Sequence, residues 1–400
     1  MNEANSERMA AELESAGYAP VDDVQKAAVV VWNTSSIRDH AEQKVYSALG
    51  RHAARRTLVV AGCVAQQEGS KFLRRVPKFD LILGPQYANR LGELLEDVRT
   101  NGVQVVATEP VHVREDLTKP RRGSGTTAWV NVIYGCLERA LSAQCIVQMV
   151  LLCQNVDAYG RNLLPRTNLT ALFEAILDVP GILRYRFTIS HPRYKTECLI
   201  RNVAALPTFA NHFHLPFPAG DNTVLRRISH DYTFERYERI VRLIRQGMPD
   251  AFVTAVPIVA FPGGKEEQFE KTLALMQRLT LDTVHTAAYS ARPNTPAGVW
   301  EDQLAEAVKE DRLTCINRQV TRDAPKASER RVGTISAVLV EGPNPLVQGE
   351  GCGRNAQNTM VYFEDDAAEC AARIVSLHQS ESPVLPPPPR GPSASQSSFE

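Results

Sequence analysis

Residues 57–62 read TLVVAG, a short apolar run of the kind that forms a strand buried on both faces. The runs AAVVVW at 27–32 and DLILG at 80–84 have the same character, and helix-like segments at 6–16, 38–51 and 88–98 alternate with them. Strands that alternate with helices predict a parallel sheet with helices on both faces. The pattern therefore indicates the α/β class, with an N-terminal parallel-sheet domain over residues 1–117.

A second alternating series begins after the polar link TKPRRGSGTT at 118–127. Its strand candidates lie at 128–135, 150–155, 184–190, 212–217, 251–261 and 283–290, and its helices include 235–245 and 266–279. Repeated strand–helix units with polar residues at the strand ends predict a TIM-like partial (βα) barrel over residues 124–328. Short strands after Val332 predict a small C-terminal β-barrel over residues 329–365. The Pro- and Ser-rich residues 366–400 predict a disordered tail.

The composition is ordinary for a soluble globular protein. The chain has 400 residues, of which 44% are hydrophobic and 22% charged, and its formal net charge is zero. Bulk charge therefore argues neither for nor against a nucleic-acid partner. Eight cysteines over this length do not make a disulfide framework and favour a reducing compartment. The polar N-terminus lacks the apolar core of a signal peptide, and the longest apolar runs are too short to span a bilayer, so no membrane partner is expected.

Eight motifs occur in one order along the chain: NTSSIRDHAEQKV, AGCVAQQEG, DLILGPQ, AWVNVIYGC, QNVDAYG, SHPRY, HLPFPAGDN and AAYSARPNTPA. In these motifs the chain resembles the tRNA methylthiotransferases of the radical S-adenosylmethionine class. The likeness is greatest to the branch that adds a methylthio group to isopentenyladenosine beside the anticodon. The related ribosomal-protein methylthiotransferases are a weaker match.

The resemblance implies two four-iron four-sulfur clusters, S-adenosylmethionine and tRNA. An auxiliary cluster would lie on three cysteines of the first domain, and a second on a CxxxCxxC loop of the barrel, while a TRAM-like β-module would bind tRNA. Three thiolates leave the fourth iron open for S-adenosylmethionine, whose reductive cleavage supplies the radical. A reductant protein such as a flavodoxin or ferredoxin is the implied second partner.

The stretch YGCLERALSAQCIVQ at 134–148 stands at the place of the CxxxCxxC loop and departs from it. Ala140 and Ser142 stand where the spacing from Cys136 and Cys145 requires a cysteine. A helix and a strand approach that follow the loop in the family are also missing from this chain.

A helix could replace this loop, because LERALSAQ consists largely of good helix formers. Nine residues of helix turn through about 900° and rise about 13.5 Å, so thiols at its two ends would point to opposite sides. Two interpretations therefore stay open for Cys136 and Cys145: leftover thiols in a shortened crossover, or a distorted cluster site. Cys153, where the family has Gly, is either a third ligand or a buried apolar residue.

The auxiliary site has lost ligands as well. The family's first ligand precedes the residue that matches Met1, and Ser35 occupies the position of the second. Cys63 in AGCVAQQEG matches the third, and it is either a metal ligand or a small buried residue. A single thiolate cannot hold a cluster.

Several polar residues match family positions that line the cofactor and substrate mouth, although each could equally be a strand-end polar group bonded to backbone: Gln154, Asn155, Ser190, Asp221, Asn222, Tyr289 and Arg292. Other positions of the same motifs depart from the family, including Pro257 for an acidic residue and Ala260 for Gly. In the β-module, Arg354 of GRNAQNTMVYF matches a basic RNA-binding pattern.

The resemblance therefore predicts a tRNA methylthiotransferase, and two alternatives stay open. One is a cluster-less, inactive relative that at most binds RNA, and the other is a partial gene product whose complete form carries the missing segments. A bacterial cytoplasm and a plastid stroma both fit as the location.

Overall fold

The computed structural model describes residues 2–34, 56–75, 77–109, 111, 120–121, 123–132, 146–152, 156–161, 163, 165–177, 179–188, 190–206, 208–292, 295–329, 331–364, 371–378 and 396–399. The chain divides into two compact units. The first takes residues 1–123, 129–143 and 386–400, and the second takes 124–128 and 144–385.

The first unit contains a five-stranded sheet in the order β17-β1-β2-β3-β4. Its parallel strands are β1 (Val29–Thr34), β2 (Thr57–Gly62), β3 (Leu81–Leu83) and β4 (Val105–Ala107). Strand β17 (Gln396–Phe399) pairs antiparallel with the outer edge of β1. The helices are α1 (Asn2–Ser15), α2 (Cys63–Glu68), α3 (Ser70–Arg75) and α4 (Leu91–Asn101).

Both faces of this sheet are buried, as the continuous apolar runs predict. Val29 and Val31 of β1 pack into one core with Leu13 of α1. Val30 and Trp32 point the other way, into a second core. The predicted parallel-sheet fold is therefore confirmed, and the sequence analysis missed only the short strands β4 and β17 in this sheet. The helix predicted at 38–51 lies outside the described residues.

The second unit holds the partial barrel, except for residues 129–131 of its first strand. Strands β5 (Thr127–Asn131), β6 (Gln148–Leu152) and β7 (Arg184–Phe187) form one sheet, and β11 (Thr283–Val284), β9 (Phe252–Ala255) and β8 (His212–His214) form another. A parallel bridge between Tyr185 and Phe209 lies between these sheets. Strands β10 (Ile258–Val259) and β12 (Ala287–Ala288) make a further parallel pair.

Helices cover the outside of these strands: α5 (Leu169–Leu177), α6 (Glu197–Ala204), α7 (Asn222–Arg227), α8 (Phe234–Gly247), α9 (Glu266–Leu279) and α10 (Glu306–Glu329). The prediction of a partial (βα) barrel is confirmed. The long strand expected at 251–261 is two short strands instead, because Pro257 falls in the break and cannot donate a ladder hydrogen bond.

The C-terminal module is a four-stranded antiparallel sheet in the order β15-β14-β13-β16. Its strands are β13 (Ile335–Pro343), β14 (Glu350–Asn355), β15 (Met360–Glu364) and β16 (Ile374–His378). The prediction of disorder after residue 366 is wrong for β16 and β17. Strand β16, within the stretch RIVSLH, pairs with β13. This short strand was not predicted because the tail as a whole is rich in Pro and Ser.

Two buried arginines join this module to the barrel. The guanidinium of Arg184 donates hydrogen bonds to the carbonyls of Arg354 (2.6 Å) and Ala337 (3.1 Å). That of Arg186 donates to the carbonyls of Asn355 (2.6 Å) and Ala356 (3.2 Å). Arg184 is the first residue of β7, so the turn between β14 and β15 lies against the amino-terminal end of that strand.

In the described part of the chain, no helix is both long and apolar enough to cross a membrane.

Candidate functional site

The carboxyl ends of the barrel strands carry most of the polar residues that the sequence analysis singled out. Ser190 follows β7, Asp221 and Asn222 follow β8, and Tyr289 follows β12. Sites in barrels of this kind lie at this end, because the loops after the strands converge there. We call this end of the barrel the mouth.

A buried ion pair lies behind the mouth. Lys195 Nζ is 2.9 Å from Asp157 Oδ1, and neither side chain is exposed to solvent. The second carboxylate oxygen accepts the backbone N–H of His191 at 3.0 Å. The Lys195 ammonium also lies over the rings of Phe187 (4.7 Å) and Phe213 (5.3 Å). The pair therefore ties the loop after β7 to the 3-10 turn after β6.

The loop after β7, residues 190–196, is held by further contacts. The N–H of Arg193 donates to His191 Nδ1 at 3.2 Å, and the N–H of Tyr194 donates to the His191 carbonyl at 3.0 Å. Arg236 of α8 donates to the carbonyls of Pro192 (2.9 Å) and Arg193 (3.0 Å). These hydrogen bonds hold the backbone of the loop in place, and they therefore fix the positions from which its side chains extend.

Two histidines meet beside this loop. His191 Nε2 and His230 Nδ1 are 3.2 Å apart, so one ring donates to the other. Burial lowers the pKa of His191, and it lowers the pKa of His230 to about 4. Tyr232 packs on both rings, and burial raises the pKa of its hydroxyl. The two imidazoles are therefore neutral at physiological pH.

Two predicted site residues carry hydroxyls with no hydrogen-bond partner among the described residues. Ser190 is 2% exposed, and its Oγ is buried and unbonded. The Tyr289 hydroxyl is also buried and unbonded, while its ring packs on Phe261 at 5.0 Å. Burial raises the pKa of Tyr289 against the effect of nearby Lys309 and Arg292. Buried hydroxyls normally have partners, so these two suit the polar groups of a bound small molecule.

Asp221 has a structural task. Its Oδ1 accepts the N–H groups of Thr223 (2.9 Å) and Val224 (3.2 Å), which caps helix α7. Its Oδ2 is 2.8 Å from Lys271 Nζ. Burial raises the pKa of Asp221, but the Lys271 ammonium and the two N–H groups outweigh it and leave that pKa lowered. The cofactor-binding role predicted for Asp221 stays a prediction.

Asn222 and Arg292 also make contacts within the protein. Asn222 Oδ1 accepts the N–H of Phe234 at 2.9 Å, and its amide donates to Glu235 at 3.0 Å. The carbonyl of Arg292 accepts the Thr295 hydroxyl at 2.8 Å. Gln154 and Asn155 lie outside the described residues, so the structure brings Ser190, Asp221, Asn222 and Tyr289 to one end of the barrel and is silent on these two.

The cysteines decide how far the structure fits an iron–sulfur cluster. Cys136, Cys145 and Cys153 lie outside the described residues. The described cysteines are Cys63, Cys198, Cys315 and Cys352, each on a different strand or helix. Among the described residues, no three potential ligands come together as a metal site requires. Because the candidate ligands of the barrel cluster lie outside the described part of the chain, the cluster site stays a prediction.

Cys63 begins helix α2 in the first unit and is partly buried. Gly62 before it has φ of 96°, and a side chain there would meet the Thr34 carbonyl at 2.2 Å. Ser35 lies outside the described residues. The metal-ligand role of Cys63 stays a prediction.

Arg354, the predicted RNA contact, is engaged within the β-module. Its Nε is 3.1 Å from Glu341 Oε1, and Nη1 donates to the Asn358 carbonyl at 3.3 Å. The side chain is 36% exposed. A phosphate would have to compete with Glu341 for this guanidinium, and the RNA-binding role stays a prediction.

Strands β8 and β9 of the barrel also carry polar side chains that meet. His212 Nε2 and His214 Nδ1 both approach Thr254 Oγ1, at 3.3 and 2.9 Å. Burial, aided by nearby Arg186, lowers the pKa of His212 to about 3, and burial lowers that of His214 to about 4. These side chains were not predicted, although the alternation of HFH in β8 places both histidines on one face.

Asp157, Lys195 and His230 were also not predicted from the sequence. Asp157 lies within the motif QNVDAYG, and Lys195 directly follows the motif SHPRY. The two residues are 38 positions apart, and no sequence pattern links residues at that distance.

The comparisons with known proteins agree with this architecture. Residues 1–84 match the family model described as "Uncharacterized protein family UPF0004". The radical S-adenosylmethionine methyltransferase TsrM from Kitasatospora setae, solved with cobalamin and a 4Fe-4S cluster, is 14% identical over 74% of each chain, with a TM-score of 0.51. At this identity the likeness shows the fold alone, which is that of the partial (βα) barrel described above.

Two further solved structures are more distant. Coproporphyrinogen III oxidase from Escherichia coli, a radical S-adenosylmethionine enzyme, is 13% identical over 54% of this chain and 55% of its own, with a TM-score of 0.34. The cobalamin-dependent radical enzyme OxsB is 11% identical over 74% of this chain and 47% of its own, with a TM-score of 0.41. The chain thus spans about half the length of these two proteins.

Proposed function

We propose that this chain is a radical S-adenosylmethionine methylthiotransferase that acts on isopentenyladenosine in tRNA. The observation that carries the proposal is the combination, in one chain, of a UPF0004 match over residues 1–84 with a radical S-adenosylmethionine fold. The eight ordered motifs add the substrate class, because they resemble the tRNA branch most.

The mouth supports this proposal through two features. Ser190 and Tyr289 bring buried, unbonded hydroxyls to it, which suits S-adenosylmethionine or a nucleoside. The Asp157–Lys195 pair holds the loop that carries Ser190. S-adenosylmethionine and a cluster, when bound, supply the radical chemistry. The chain's own residues bind and orient the nucleoside and keep water from it.

A second candidate function is RNA binding without chemistry. It is favoured by the altered loop at 134–148, in which Ala140 and Ser142 stand where the CxxxCxxC spacing requires a cysteine. Phosphate contacts need only positioned cations, so this activity does not depend on a cluster.

One experiment tests the proposal. The full chain is reconstituted anaerobically with iron and sulfide, then given S-adenosylmethionine, a reductant and an anticodon stem-loop that carries isopentenyladenosine. We expect the methylthio nucleoside by mass spectrometry, and its loss in a Cys145→Ala variant. RNA binding without product in the parent chain would favour the second candidate instead.

A further inference from the structure

Arg161 and Tyr194 form an exposed stack at the rim of the mouth. The Arg161 guanidinium carbon lies 4.5 Å from the centroid of the Tyr194 ring. Arg161 is exposed, whereas Tyr194 is partly buried. A planar guanidinium over an aromatic ring keeps its outer face and its N–H edges available to a ligand.

Arg161 differs from Arg193, the other arginine near the Tyr194 ring, in having no acidic partner among the described residues. Arg193 also approaches the Tyr194 ring, at 5.4 Å, but it forms an ion pair with Asp231. Arg161 makes no ion pair with any residue that the structure describes, and its guanidinium lies over the Tyr194 ring. An exposed cation held over a ring without a carboxylate partner is suited to an anionic ligand that has a flat face.

The frame under this stack is rigid. Tyr194 belongs to the loop that the Asp157–Lys195 pair and the two Arg236 hydrogen bonds hold in place. Ser190, whose buried hydroxyl has no hydrogen-bond partner among the described residues, stands four positions before Tyr194 in the same loop. A ligand on Arg161 would therefore be held at a fixed place beside the mouth.

We propose that the Tyr194–Arg161 stack binds a nucleotide of a single-stranded RNA segment, next to the nucleoside that enters the mouth. The base stacks on the guanidinium plane, and a phosphate accepts from its N–H edges. Unstacked bases in RNA loops are recognised in this way by aromatic rings and arginine planes. The inference rests on the proposed function, since it takes RNA as the ligand.

The test uses the full chain and an unmodified anticodon stem-loop, without S-adenosylmethionine or reductant, and measures binding by fluorescence anisotropy at two salt concentrations. We expect Arg161→Gln to weaken binding about tenfold and to lower the salt slope by about 0.7. Arg161→Lys should keep the salt slope but still lose affinity, because it keeps the charge and not the plane. Tyr194→Leu should resemble Arg161→Gln in affinity, while Tyr194→Phe should bind as the parent does.

Arg90→Gln is the matched control. Arg90 also lies over a tyrosine ring, that of Tyr87 at 5.7 Å, but it forms an ion pair with Glu93 at 2.5 Å. This variant should bind as the parent does. Equal affinities for Arg161→Gln and the parent would overturn the inference, as would an equal loss in Arg90→Gln. A parent chain that does not bind this RNA would overturn it too. A chain that binds through Arg161 and forms no product leaves the inference standing and refutes only the proposed chemistry.

Discussion

Removing one partner of the buried pair Asp157–Lys195 should destabilise the barrel far more than removing both. At 2.9 Å and an effective dielectric constant of about 20, the two charges attract each other by about 6 kcal/mol. Desolvation of two fully buried ions costs about as much, so the net contribution of the intact pair is small. A single substitution leaves the other charge buried without its partner, which costs about 3–5 kcal/mol.

The assay is urea unfolding of four proteins: the parent, Lys195→Met, Asp157→Asn and the double variant. We expect each single variant to lose about 3–5 kcal/mol of unfolding free energy, and the double variant to lose about 1–2 kcal/mol, since methionine still packs against Phe187 and Phe213. The slopes of unfolding against urea should agree, so that the midpoints can be compared. Losses that simply add in the double variant, or single losses below about 1 kcal/mol, would show that the two buried charges are not coupled.

Three more predictions concern stability. Arg186→Met should lose about 3 kcal/mol and speed hydrogen exchange at the Gln357 and Thr359 amides, because Gln148 and the carbonyls of the β14–β15 turn lose their donor; exchange at the parent rate would contradict this. Ala260→Gly should gain about 0.5–1 kcal/mol in urea unfolding, since Ala260 has φ of 60°, where a Cβ is strained; a variant less stable than the parent would argue against it. The pKa of His212 in the folded state is about 3, which is below its value in the unfolded state. Keeping His212 neutral therefore adds to the free energy of unfolding above about pH 6.5. This contribution is lost as the pH falls, by about 1.4 kcal/mol per pH unit. Between pH 6.5 and 4.5, His212→Gln should therefore lose about 2–3 kcal/mol less than the parent, and parallel pH profiles would contradict this.

The sequence predicted those helices and strands whose buried residues recur in a regular pattern along the chain. Strand β2 and helix α9 have the predicted bounds, because a buried parallel strand is a continuous apolar run and α9 repeats its apolar residues at helical spacing. Short strands failed for the same reason. Strand β4 spans three residues and β16 five, too few for a period to stand out from a polar neighbourhood.

The candidate site was predictable only where a side chain's place follows from its own element. Ser190 and Tyr289 were found because they stand in SHPRY and AAYSARPNTPA, two motifs that match the family, and the strands before them place both residues at the mouth. Lys195 was missed because its role is to form an ion pair with Asp157, which becomes its neighbour only in the folded chain. The alternation in RYRF placed Arg184 and Arg186 on one face of β7, but only the structure shows that carbonyls of the β-module cover them.

The proposal that isopentenyladenosine in tRNA is the substrate can be tested by comparing the affinity of the full chain for two anticodon stem-loops. One carries isopentenyladenosine beside the anticodon and the other carries adenosine there, and both are titrated at the same two salt concentrations. We expect tighter binding of the modified loop at both, because the apolar isopentenyl group would leave water as the nucleoside enters the mouth. Equal affinities with the same salt slope would reduce the interaction to phosphate contacts and would contradict the claim.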